Sequence, residues 1–276
     1  MTTNWASDDA CEKIKFGIWA GDNYGTSDDR PPLVLLHGLT FDRTMWGPAL
    51  KALNIVDPDR RVLTFDLPGH GESSPLESYA MDDVVDSFHH VIEEAGLRSP
   101  ILVGHSLAAI IATIYASQHP TSGVVNVDQP LQIGPFAAML RSMADHLRSP
   151  AFPSIWEKFL EQMHTDRLAA DAQELLRTTS TPRQELVLGY WHDILNRPTD
   201  ELEAAVGQMN ARLRTASLPY LVVAGEDVDD GYRDWLQAQI PHASIVVLSG
   251  SGHFPQLAHP DMFAQCLADT AAWPVR

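Results

Sequence analysis

The feature that most constrains this chain is a series of short, wholly apolar runs, each closed by a polar or glycine residue and separated by helix-like stretches. Leu33 to Leu36 ends in His37-Gly38, Val62 to Phe65 at Asp66, and Ile101 to Val103 at Gly104. Val124 to Val127 ends at Asp128, Tyr220 to Ala224 at Gly225, and Ile245 to Leu248 closes the series. A run without polar alternation marks a strand buried on both faces, which is how parallel strands covered by helices read. Lys13 to Ala20 reads as one earlier strand, ended by the Gly-rich GDNYGTSDDR loop. Met81 to Ala95 and Ala108 to His119 have the helical pattern between runs. The alternation predicts an α/β chain with a doubly wound, mostly parallel sheet, whose sites lie beyond the carboxyl ends of the strands.

One stretch breaks the alternation. Residues 131–218 contain no strand signal, only amphipathic segments rich in Met, Trp, Leu and Phe. The segment lies between two core strands, so it must leave the sheet and return, and it is expected to form a helical cap over residues 1–130 and 219–276. Most of its apolar side chains are expected to pack the cap onto the core. Trp156 and Trp191 are the candidates for contacting substrate, with Met139, Met143 and Tyr190 as further pocket candidates.

Composition narrows the function classes. The chain has 276 residues, 45% of them hydrophobic and 20% charged, the profile of an ordinary globular protein. A formal charge of -17 disfavours a sequence-independent grip on nucleic acid or on an anionic membrane. No apolar run approaches the ~20 residues of a membrane span. The first residues, MTTNWASDDACEKIKFG, lack the cationic start and apolar stretch of a signal peptide, so a cytoplasmic location is expected. Cys11 and Cys266 show neither a disulfide framework nor metal spacing. No metal or organic cofactor is expected, and the expected partner is a small-molecule substrate.

The chemistry concentrates at three loops. Val103-Gly104-His105-Ser106-Leu107-Ala108 follows an apolar run and opens a helix. A serine there sits on a sharp turn that needs small neighbours, here Gly104 and Ala108. The turn would lift the hydroxyl to a helix N-terminus, where unpaired amides favour developing negative charge. The alternative role for Ser106 is an N-cap. The second loop is Leu36-His37-Gly38-Leu39-Thr40, whose glycine lets an amide face the space above the serine. The amides of Leu39 and Leu107 would then form an oxyanion hole, and His37 is read as a structural bridge between loops. The third is Ser249-Gly250-Ser251-Gly252-His253-Phe254-Pro255, from which His253 can reach Ser106 as a general base. His259 is read as structural.

Together with Phe65-Asp66-Leu67-Pro68-Gly69-His70-Gly71-Glu72-Ser73-Ser74, these loops resemble the α/β-hydrolase superfamily over nearly the whole chain. The resemblance implies the α/β-hydrolase fold, with the cap inserted after the sixth strand and the DLPGHGESS stretch structural. It also implies a triad in the order serine, acid, histidine. Most members carry the acid three residues after the later-loop glycine, where this chain has Val228, flanked by Asp227 and Asp229. Asp128 occupies the position that a minority of members use, and it is favoured over Asp227 and Asp229.

The resulting expectation is a serine hydrolase acting on a small apolar or aromatic ester or lactone through Ser106, His253 and Asp128. The alternative is a ring-cleaving dioxygenase, similar to the cofactor-free enzymes that open 3-hydroxy-4-quinolones with a His–Asp pair. A non-catalytic ligand receptor on the same scaffold is the third reading.

Overall fold

A computed structural model describes residues 11–26 and 29–269. Residues 1–10, with most of the stretch read for a signal peptide, lie outside it. The chain runs β1 (Cys11–Phe16), β2 (Trp19–Tyr24), β3 (Leu33–Leu36), α1 (Gly47–Val56), β4 (Val62–Phe65) and α2 (Met81–Glu94). It continues through β5 (Ile101–His105), α3 (Leu107–Gln118) and β6 (Gly123–Val127). Helices α4 (Ile133–Ser142), α5 (Ala144–Leu147), α6 (Phe152–Gln162), α7 (Ala170–Thr179), α8 (Gln184–Tyr190), α9 (His192–Asn196) and α10 (Thr199–Ala216) follow. The last elements are β7 (Tyr220–Ala224), α11 (Asp230–Gln239), β8 (Ala243–Val247), α12 (Pro255–Ala258) and α13 (Pro260–Ala268).

Among the described residues the strands form one eight-stranded sheet in the order β1-β2-β4-β3-β5-β6-β7-β8. Pairings from β4 to β8 are parallel; β1/β2 and β2/β4 are antiparallel. The apolar runs are apolar because each strand feeds two cores at once. Val34 and Leu36 of β3 join the layer containing α2, α3 and α10, whereas Leu33 and Leu35 join the layer containing α1 and α13. Residues of β5, β6 and β7 divide in the same way: Leu102, Val124 and Val222 to the first layer, Val103, Val125 and Val223 to the second.

The amino-terminal expectation needs correction. Lys13 to Ala20 is a hairpin rather than one strand, with Phe16 facing Trp19 across a two-residue turn. Gly17 takes φ +55° there, a conformation that glycine adopts without cost and that suits such turns. Residues 21–24 of the expected loop belong to β2.

Strand order changes direction between β3 and β5: β4 lies on one side of β3, β5 and β6 on the other. Such a switch point opens a crevice at the carboxyl ends of the strands. The register sets Leu36 beside Gly104, Gly104 beside Asn126, and Val127 beside Val223. The loops after β3, β5, β6 and β7 therefore emerge side by side along one edge. Helices α4 to α10 fill the insertion between β6 and β7.

Candidate active site

The turn after β5 is built around one strained residue. Ser106 has φ +54° and ψ -125°, which side-chain-bearing residues adopt only when their surroundings enforce it. Three features enforce it. The Ser106 amide donates to Val127 O at 3.0 Å, and α3 starts at the next residue. A Cβ on Gly104 would stand 2.3 Å from Ala108 O, so only glycine admits the helix so close to the strand. Ala108 is fully buried in the same contact zone, which explains why a small residue stands there. Leu107 is the first residue of α3, so its amide has no partner within the helix.

The loop after β3 lies beside this turn. A Cβ on Gly38 would stand 2.6 Å from His105 Nδ1. His37 bridges loops as expected: its Nδ1 donates to Gly38 O at 2.8 Å and its Nε2 accepts from the Leu67 amide at 2.9 Å. His70 performs the same service one loop away, accepting from the Thr40 amide at 3.1 Å while Nδ1 donates to Pro68 O at 3.1 Å. Burial lowers the pKa of both rings, that of His70 to about 3, so both stay neutral and keep these tautomers. Thr40 itself has φ +73°, a bend held by that bond and by the Thr181 amide donating to Thr40 O at 2.7 Å. Asp66 is fully buried and paired with Arg43, which also reaches Asp22 and Glu72. The DLPGHGESS stretch is thus a charged buttress for the loop after β3.

The candidate acid and the candidate base are in direct contact. Asp128 Oδ2 lies 2.7 Å from His253 Nδ1, and Asp128 Oδ1 accepts from the Gly225 amide at 2.9 Å. Burial pushes the Asp128 carboxyl up, but its hydrogen bond to His253 and the attraction of that ring outweigh burial and hold its pKa below the ordinary value. Asp128 has φ +55°, and the turn that allows this is stapled by Asn126, which accepts from the Gln129 amide at 3.0 Å and donates to Gln129 O at 2.8 Å. The two aspartates of the later loop are elsewhere. Asp229 caps α11 by accepting from the Tyr232 amide at 2.9 Å, and Asp227 is exposed.

The loop carrying His253 is held from three directions. The His253 amide donates to Met163 O at 3.0 Å, at the end of α6. The His253 carbonyl accepts from His105 Nε2 at 2.8 Å. Gly225 and Gly252 are in such close contact that a Cβ on Gly225 would lie 1.8 Å from Gly252 O. Burial lowers the His105 pKa to about 3, which keeps the ring neutral beside His253.

Leu39, Ser106, Leu107, Asp128 and His253 all line one cavity of about 600 Å³. Its roof comes from the insertion. Trp156 of α6, Trp191 and Tyr190 line it, whereas Met139 and Met143 do not. Met139 lies one turn beyond Phe136 on α4 and Met143 caps that helix; both pack against the core, while Phe136 takes the wall position. Sequence reasoning also missed Ile110, Ile114, Val206 and Met209, which line the cavity from α3 and α10. Their i, i+3/i+4 spacing was visible but is the same for a helix that merely packs. Among the described residues no group of three His, Cys, Asp or Glu side chains is placed to hold a metal ion, and no helix is long and apolar enough to cross a membrane.

Comparison with known proteins places the fold in a family. A family model described as "Alpha/beta hydrolase family" matches residues 33–266. A pimeloyl-[acyl-carrier protein] methyl ester esterase of Yersinia enterocolitica is 27% identical over 87% of this chain and 92% of its own length. A 2-hydroxy-6-oxononadienedioate/2-hydroxy-6-oxononatrienedioate hydrolase of a Pseudomonas species is 24% identical over 87% of each chain. Among solved structures, a thermophilic esterase from Thermogutta terrifontis shares the fold, with a TM-score of 0.73, 23% identity, and coverage of 93% of this chain and 96% of that one.

Proposed function

The chain belongs to the alpha/beta hydrolase family, and from that premise we propose that it is a serine hydrolase acting on an apolar or aromatic ester or lactone. The observation that carries this reading is the His253–Asp128 pair, 2.7 Å apart, opening onto the same cavity as a strained serine at a helix N-terminus. Strain of ~1–3 kcal/mol persists only where the surroundings impose it, and here it exposes one hydroxyl to the cavity.

Each group then has one task. Asp128 accepts the proton-bearing Nδ1 of His253, which leaves Nε2 with a lone pair. Nε2 takes the Ser106 proton as the oxygen attacks the acyl carbon, and Asp128 stabilises the imidazolium. The amides of Leu39 and Leu107 receive the negative charge of the tetrahedral intermediate. His253 returns the proton to the departing alcohol, and a water molecule, deprotonated in turn by His253, releases the acid. Trp156 and Trp191 supply flat apolar walls for the substrate. The esterases among its relatives support this choice of reaction.

The ring-cleaving alternative uses the same His253–Asp128 pair but leaves Ser106 only an assisting role in binding. One experiment separates the two: p-nitrophenyl ester hydrolysis and oxygen uptake with an alkyl 3-hydroxy-4-quinolone, each by wild type and Ser106→Ala. Ester turnover that the substitution reduces by at least ~10³-fold is expected. Oxygen uptake with carbon monoxide release that survives Ser106→Ala would replace the hydrolase reading with the alternative.

A further inference from the structure

The cavity is far larger than an ester group requires, and two helices supply much of its wall. Leu107, Ile110, Ile114 and Gln118 line it from α3, one face of that helix over its whole length. Leu202, Val206, Met209 and Arg212 line it from α10 at the same helical spacing. Both helices lead into neighbouring parallel strands, β6 and β7, so both descend from the site towards the opposite edge of the sheet. From Leu107 to Gln118 the wall extends about 16 Å, the span of roughly a dozen extended carbons at single-bond spacing. Between these ends the residues of the two helices that line the cavity are aliphatic: Ile110 and Ile114 from α3, Val206 and Met209 from α10. Polar side chains return at the far end, with Gln118 and Arg212 both exposed.

We infer that this channel between α3 and α10 holds the acyl chain of the substrate, so that the enzyme prefers esters of linear acids of about eight to twelve carbons. The inference rests on the serine-hydrolase reading and deepens it. The half of the substrate in question follows from where the proton goes. His253 protonates the departing alcohol, so the alcohol leaves on the His253 side. That side carries Phe254, which packs in the layer of α1 and α13. The α3–α10 channel belongs to the opposite layer. What extends into it is the part that stays bonded to Ser106. An aliphatic wall also suits a chain of methylenes better than an aromatic acyl group, and the polar far end lets a chain terminus reach water.

The test is a pair of chain-length series on the purified protein. One varies the acid, as p-nitrophenyl esters from two to sixteen carbons; the other varies the alcohol, as acetates of linear alcohols. The first should rise by about threefold in kcat/KM per methylene up to roughly ten carbons and then flatten. The second should change little with length. Ile114→Trp, which fills the middle of the channel, should lower the ratio of decanoate to acetate kcat/KM by at least ~30-fold, set by the several methylenes it excludes. If that variant fails to fold, Val206→Trp from the facing wall gives the same readout. A rate that falls steadily with acyl length, or a preference that appears only in the alcohol series, overturns the assignment and leaves the hydrolase reading standing. Failure to hydrolyse any ester of either series overturns both.

Discussion

Replacing Asp128 by Asn should disable the enzyme while leaving it folded, because the substitution changes one atom in a site that can tolerate it sterically but not chemically. In the wild type Asp128 Oδ1 accepts from the Gly225 amide at 2.9 Å and Oδ2 from His253 Nδ1 at 2.7 Å. An asparagine must keep its oxygen towards Gly225, since that amide is a donor. Its NH₂ then faces His253 Nδ1, and the ring can pair with it only by moving its proton to Nε2. Nε2 is the atom that must be bare to accept from Ser106. Losing the carboxylate also removes the attraction for the imidazolium, about 4 kcal/mol for charges ~4 Å apart at an effective dielectric of ~20. That alone is a factor of about 10³ in rate, and the tautomer change brings the expected fall in kcat/KM to ~10³–10⁴-fold, comparable to the same exchange in the serine protease template. The assay is hydrolysis of a p-nitrophenyl ester at pH 7.5, with urea denaturation as the control for folding. The Asp128 carboxyl is held below its ordinary pKa in the folded state, so it contributes stability above its ordinary pKa of about 4 and loses that contribution as pH falls through the folded value. Wild type and variant should therefore differ in stability at neutral pH and converge in acid. A variant retaining more than ~10% of activity, with Asp227→Asn or Asp229→Asn inactive instead, would refute the assignment.

Two further outcomes follow from the packing around the site. Gly225→Ala puts a Cβ 1.8 Å from Gly252 O, which must push the acid-bearing and histidine-bearing loops apart; a displacement near 1 Å should cost about 10²-fold in kcat/KM, more than the accompanying loss in thermal stability would explain. Buried neutral His70 and His105, both with pKa lowered to about 3, take up protons on unfolding; stability should fall below pH ~6.5 by up to about 2.7 kcal/mol per unit, seen by urea denaturation at pH 7.0, 5.5 and 4.5, and a flat profile would contradict their burial as neutral rings.

The parts of the fold visible in the sequence are those where a physical demand admits few residue types. Strands that feed two cores cannot carry polar side chains, so β3 to β7 announce themselves. Ser106 is legible because its backbone demands Gly104 and Ala108 beside it. The hairpin of β1 and β2 was hidden because Gly17 lies inside an unbroken β-like pattern, and the Gly-rich stretch from Gly21 gave a stronger stop signal. The acid could be favoured but not fixed from sequence: Asp128, Asp227 and Asp229 all follow strands that end at the same edge. The helix that Asp229 caps and the Gly225–Gly252 contact that brings the loops together are tertiary facts. His70 and His105 escaped notice because a buried neutral histidine has no spacing rule; each is defined by the amide or carbonyl it meets. The cavity wall escaped because a helix face against a substrate and a helix face against a core have the same period.

The central claim is that one hydroxyl in the molecule is chemically primed. Treating the folded protein with a fluorophosphonate and mapping the adduct by peptide mass spectrometry tests it most directly. The account predicts a single adduct on the peptide containing Ser106, formed by wild type and lost when His253 is replaced by Ala. Protein that stays unmodified under conditions that label an esterase completely, or that carries its adduct on another residue, would contradict it.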